Sequence, residues 1–178
     1  MGTYFPGRIE IGGKLPRSLL PEFVKLLNAS GARFDWAEQD DLTEEMILQE
    51  VKDNEPSLTL MDGEASFGHF EDLENWLAKH KMSYIVTSDS YCEYEGCIGG
   101  IVNGEIFSVE ANQSGDAVIG MEVVVSALTT LKDGDIFATI ATLSAAAKTV
   151  PALPKFEIVD DEPKTKRKPR PKKREKKS

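Results

Sequence analysis

Hydrophobic and polar positions recur along this chain with two periods, and the switches between them outline its elements. Arg8-Ile9-Glu10-Ile11 alternates and reads as a short strand closed by Gly12 and Gly13. Helical spacing follows over 18–30, where Leu19, Leu20, Phe23, Leu26 and Leu27 form one apolar face. Ser18 stands as its N-cap, Pro21 falls in its first turn and Gly31 ends it. Residues 34–37 (FDWA) read as a short strand. Asp41, with Glu44 three residues on, has capping-box spacing for a second helix with Leu42, Met46, Ile47 and Val51 on its face.

Beyond Pro56, LTLM at 58–61 has the form of a buried strand. Phe70, Leu73, Trp76, Leu77 and His80 predict a helix over 69–80. Tyr84–Thr87 opens a strand that continues toward 94. Cys97–Val102 and Glu105–Glu110 are two further strands, and Asn103-Gly104 between them is a strong hairpin signal. Met121, Val124, Val125, Leu128 and Leu131 give a fourth helix, stopped at Asp133-Gly134-Asp135. Asp135 caps a last helix rich in Ala138, Ala141, Ala145 and Ala146, a small-residue face suited to packing on the fourth helix or on a partner.

The element order predicts an α+β fold: a single domain with a mixed β-sheet and helices mainly on one face, split-βαβ-like. Residues 1–150 form this domain, 151–163 a linker with Pro151, Pro154 and Pro163, and 164–178 a disordered basic tail.

Charge sharpens the division. The 178 residues carry 30 acidic and 21 basic side chains, a net −9. Ten of the bases lie in the last fifteen residues: Lys164, Lys166, Arg167, Lys168, Arg170, Lys172, Lys173, Arg174, Lys176 and Lys177. With Glu175 that stretch is +9, so the rest of the chain is −18. A loose cation of this density binds polyanions, by phosphate contacts that ignore sequence and weaken steeply with salt. An acidic body repels nucleic acid, so contact with DNA or RNA falls to the tail. The same polarity admits an inhibitor whose acidic body mimics nucleic acid and blocks a DNA- or RNA-binding partner.

No apolar run approaches the roughly 20 residues of a membrane-spanning helix. The opening MGTYFPGRIE lacks the shape of a secretory signal, and two cysteines make no disulfide framework. Both point to an intracellular setting: cytoplasmic, or nuclear in a eukaryotic host, since KRKPRPKKR also fits a nuclear address. A phage or mobile-element origin suits a small chain of this kind.

Four constellations bear on chemistry. Gly12, Gly13, Lys14, Arg17 and Ser18 place two cations and a glycine pair at a helix N-terminus, the arrangement that receives an anion. It matches neither the P-loop nor the dinucleotide fingerprint. Asp62 and Glu64 after one strand, Asp89 after another and His69 nearby form the second. If the acids converge at strand ends, Mg²⁺ or Mn²⁺ held there serves a metal-dependent phosphoryl hydrolase; ordinary turn chemistry is the competing reading. Cys92 and Cys97 with His69 and His80 supply zinc-type ligands, but thiols among strand residues are more simply core packing. Tyr84, Tyr91 and Tyr94 lie among acids rather than bases, which suits sheet packing and not stacking on single strands. There is no G-x-S-x-G nucleophile motif. No catalytic residue, metal site or cofactor is therefore assigned. The expectation is a non-enzymatic accessory protein engaging nucleic acid or an acidic protein through its tail, with a further protein partner open to the acidic body.

Overall fold

The computed structural model describes residues 4–36, 40–52, 56–88, 96–112, 116–146 and 149–161. They form one α+β domain. Its strands are β1 (Tyr4–Pro16), β2 (Leu58–Ser66), β3 (Ser83–Ser88), β4 (Gly96–Val102), β5 (Glu105–Ala111) and β6 (Phe156–Val159). Its helices are α1 (Leu20–Ala29), α2 (Glu44–Lys52), α3 (Glu71–Lys79), α4 (Met121–Lys132) and α5 (Ile136–Ala146). The sheet order is β2-β1-β3-β4-β5, each neighbouring pair antiparallel, and β6 adds to β1 in parallel. Since β2 and β3 both run against β1, they are parallel to each other, joined through α3 with β1 between them. That is the split βαβ unit anticipated from the element order.

Period-2 alternation sorts the sheet into two faces. Ile9, Ile11, Leu58, Leu60, Tyr84 and Val86 face the core, where α1, α2 and α3 cover them. Phe23, Val24 and Leu27 of α1, Ile47 of α2 and Leu73, Trp76 and Leu77 of α3 complete this cluster. Trp76 stacks on Phe23 at 5.5 Å between ring centroids, and its indole N–H donates to Glu22 Oε1 at 2.7 Å, so one side chain ties α3 to α1 twice. The opposite face holds a smaller cluster of Ile85, Ile98, Val102, Val109 and Ala111, with Leu153 and Phe107 against it.

Several boundaries differ from the sequence expectation. The first strand runs through Gly12 and Gly13 to Pro16, because Gly13–Pro16 find partners in β6. β6 itself lies in the stretch 151–163, expected to be linker. Its Phe156 is buried against Phe23, and the Phe156 N–H donates to the Pro56 carbonyl at 3.0 Å. Residues 34–36 bend and turn instead of forming a strand; only Arg33 bridges, to Met61. The first helix is preceded by a 3-10 turn at Arg17–Leu19, so Ser18 does not cap it. Asp41 does not cap α2 either: it pairs with Arg33 at 3.1 Å, and the Thr43 hydroxyl oxygen accepts the Met46 N–H. The helix expected over 69–80 spans 71–79.

Local signals were accurate elsewhere. Gly31 takes φ +72° just past α1. Asn103 and Gly104, at φ 53° and 84°, make the two-residue turn between β4 and β5. Asp135 Oδ1 accepts the Ala138 N–H at 2.9 Å and caps α5.

Because Phe156 anchors β6 under α1 and beside β1, Phe156→Ala is expected to lower the unfolding free energy by about 3–5 kcal/mol. Urea denaturation checks this, with Ile106→Ala on the exposed tip of β5 as a control expected to change it by less than about 0.5 kcal/mol.

Candidate functional site

The strand-to-helix junction assembles the expected anion-binding residues but fills the position itself. Gly12 lies within β1, where a Cβ would run into the Pro154 carbonyl, and Gly13 takes φ +104°. Lys14, Arg17 and Ser18 are exposed, and Lys14 lies in register with Glu157 of β6. The Ser18 hydroxyl donates to Asp161 Oδ1 at 2.6 Å, and the Ser18 backbone N–H points to the same oxygen at 3.4 Å. An acid 143 residues away thus takes up the donors that an external anion would use.

Of the second constellation, Asp62, Glu64 and His69 line one cleft of about 240 Å³ with Glu71 and Asp72. Asp62 and Glu64 sit inside β2, not after it. Asp62 pairs across from Gly7, its Oδ1 accepts the Glu64 N–H at 2.9 Å, and its carboxyl lies against Gly31. Such short-range bonding is the turn chemistry of an aspartate. Asp89 lies outside the described residues. Among the described residues, no group of three or more His, Cys, Asp or Glu has the geometry to hold a metal ion. The thiol-imidazole set also fails to meet among them. His69 is held by Glu74, His80 packs on Trp76 at 4.2 Å between ring centroids, and the Cys97 Sγ is 3.4 Å from the Ser108 hydroxyl. Cys92, Tyr91 and Tyr94 lie outside the described residues, as do all ten bases from Lys164 to Lys177. Tyr84 is buried in β3.

A further cleft was not foreseen. It has a volume of about 400 Å³ beside the β2–α3 connection and is lined by Ser66, Phe67, His69, Glu74, Asn75 and Tyr84. Phe67 and Gly68 turn the chain there at φ 52° and 71°. Gly68 fits under Phe5 and Ser88, where a side chain would collide. Glu74 then reaches back: its Oε1 accepts the Phe70 N–H at 2.9 Å and meets His69 Nδ1 at 3.2 Å. That hydrogen bond raises the His69 pKa from 6.5, burial opposes it in part, and the Glu74 charge adds to the rise. Burial, helped by Glu74, also raises the Tyr84 hydroxyl above its usual value. The sequence signal was an acid five residues after His69 at a helix start; its capping role depends on where α3 begins, which the apolar spacing misplaced by two residues. No described helix is long and apolar enough to cross a membrane.

Comparison with protein-family models, with curated proteins and with solved structures finds no match to this chain.

The His69–Glu74 contact carries a pH signature. A histidine whose folded pKa is raised contributes stability that is complete below its unfolded pKa of about 6.5 and is lost as pH rises through the folded value. By NMR, His69 is expected to titrate above 6.5, and in Glu74→Gln to fall back toward it. An unchanged midpoint in the variant would refute the pairing.

Proposed function

We propose that this chain is a non-enzymatic interaction protein that engages a polyanion, nucleic acid foremost, through the basic run Lys164–Lys177, with the acidic α+β domain as the body that carries it. The observation behind this reading is how the body uses its few cations. Two of the three arginines before residue 162 are bound to the body's own carboxylates, Arg8 to Glu10 at 3.2 Å and Arg33 to Asp41 at 3.1 Å. Lys14 lies beside Glu157, and Asp161 takes up the donors at Ser18. A body with a net −18 repels a phosphate backbone, and two of its few cations are already paired to its own carboxylates. The ten bases of the last fifteen residues have only Glu175 among them. Nucleic acid is favoured over an acidic protein because it offers unbroken charge to a run with no apolar residue for a protein groove to grip. A reducing, intracellular compartment fits the cysteine usage.

The test is binding of unrelated duplex and single-stranded oligonucleotides by the full chain and by a chain ending at Pro163. The full chain is expected to bind all of them alike, with affinity falling about 10³-fold or more between roughly 50 and 200 mM salt. The shortened chain is expected to lose binding. Equal binding by the two would refute the proposal.

A further inference from the structure

α4 and α5 form a hairpin whose inner contact is made by small residues. Ala127 of α4 and Thr139 of α5 are its buried positions, and the Thr139 hydroxyl donates to the Ala127 carbonyl at 3.3 Å. The large apolar side chains point elsewhere. Met121, Val125 and Leu128 are 73%, 54% and 53% exposed along α4. Ile136, Ile140 and Leu143 are 57%, 56% and 36% exposed along α5. Both rows have spacing four then three, the seam of helices that pack in bundles. Phe137, 88% exposed, and Leu131 flank them. Among the described residues, no element other than its hairpin partner packs extensively on either helix.

We infer that two copies of this chain associate through their α4–α5 hairpins, the four helices closing into a bundle about a two-fold axis. Area supports a second copy. At these exposures the eight side chains leave on the order of 800 Å² of apolar surface per chain, equal to one side of a standard stable interface. Charge supports it too. α5 has no charged residue and α4 only Glu122 and Lys132, with Asp133 and Asp135 confined to the turn at one end, so the helix faces of the hairpin are where two acidic bodies meet with least repulsion. A helix lying on a lipid surface carries Lys and Arg along its polar face, and Lys132 is the one base here. A nucleic-acid backbone gains nothing from an uncharged helix. The seams of the two helices are alike, which suits a self-complementary contact. This interface is separate from the basic run and stands whether or not that run binds nucleic acid.

Sedimentation of the nuclease-treated full chain at about 0.5 M salt, where charge contacts of the basic run are screened, is expected to give twice the 19.6 kDa chain mass. Phe137→Glu with Ile140→Glu is expected to weaken association about 100-fold or more with helical circular dichroism retained, and Ile106→Glu on β5 to leave it intact. Hydrogen exchange on the unaltered chain gives a reading that needs no variant: amides in 121–146 are expected to gain protection as concentration rises through the dimer range. A monomer at every concentration would overturn the inference, even one that binds an apolar dye, since its hairpin would then await a different protein. A dimer indifferent to the double substitution, one dispersed by Ile106→Glu, or protection gained elsewhere would overturn it as well.

Discussion

β1 is hydrogen-bonded along both edges, and everything else is seated by that fact. Over Gly7–Ile11 it pairs with β2 on one side and β3 on the other, and over Gly13–Pro16 it passes to β6. Ile9, Ile11 and Leu15 are fully buried, so a slip of one residue would turn the core set toward the opposite face. Glycines on β1 then admit other backbone. At Gly7 a Cβ would strike the Gly68 carbonyl, which belongs to the turn leading into His69. At Gly12 it would strike the Pro154 carbonyl, on the segment that leads into β6 and on to Asp161. The His69–Glu74 cleft and the Ser18–Asp161 contact, near opposite ends of β1, are therefore both positioned by the absence of a side chain on that strand.

Where an element's cause is local, the sequence was legible. The turn at Asn103-Gly104 needs two positive φ values and has residues that accept them. Asp135 caps α5 from three residues before Ala138. The apolar faces of α1 and α3 follow from spacing alone, and the split βαβ unit from their order among the strands. What misled were positions whose partners are distant in the chain. Gly12 and Gly13 look like a stop until β6, some 140 residues later, continues the ladder. The same distance hides the acceptor of Ser18, which pattern reads as a helix cap. Phe156 stands among prolines, and only the pocket beneath Phe23 explains it. Asp62 and Glu64 are not at a strand end, because β2 runs five residues past Met61 to Ser66, extended by pairing with Tyr4 and Phe5.

The surface chemistry follows from scarcity of positive charge. With eleven bases against 29 acids before residue 164, a basic patch is hard to assemble, and Arg8 and Arg33 are paired to carboxylates. Such exposed pairs add little stability, about 0–1 kcal/mol each. Their consequence is for recognition: they engage Arg8 and Arg33, and the excess of acid around the remaining bases disfavours an outside anion. On the proposed reading polyanion binding and folding fall to different parts of the sequence, and composition there changes abruptly, from a strand with a buried Phe156 to a run with no hydrophobic side chain other than proline.

The α4–α5 hairpin poses the sharper energetic problem. α4 has 12 residues and α5 has 11, lengths at which an isolated helix is marginal in water. Ordering each residue costs about 1–2 kcal/mol of backbone entropy, offset in helices mostly by burial of an apolar face. Here the buried positions are an alanine and a threonine, while the leucines, isoleucines and phenylalanine remain in water. The glycine turn at Gly134 and the Asp135 cap secure the bend but supply no burial. A hairpin built this way is completed from outside. Because its seams repeat on both helices and its charges are confined to Glu122, Lys132 and the turn at Asp133 and Asp135, a copy of itself supplies that burial at low electrostatic cost, and the ordering of α4 and α5 is then coupled to association rather than to the folding of the sheet.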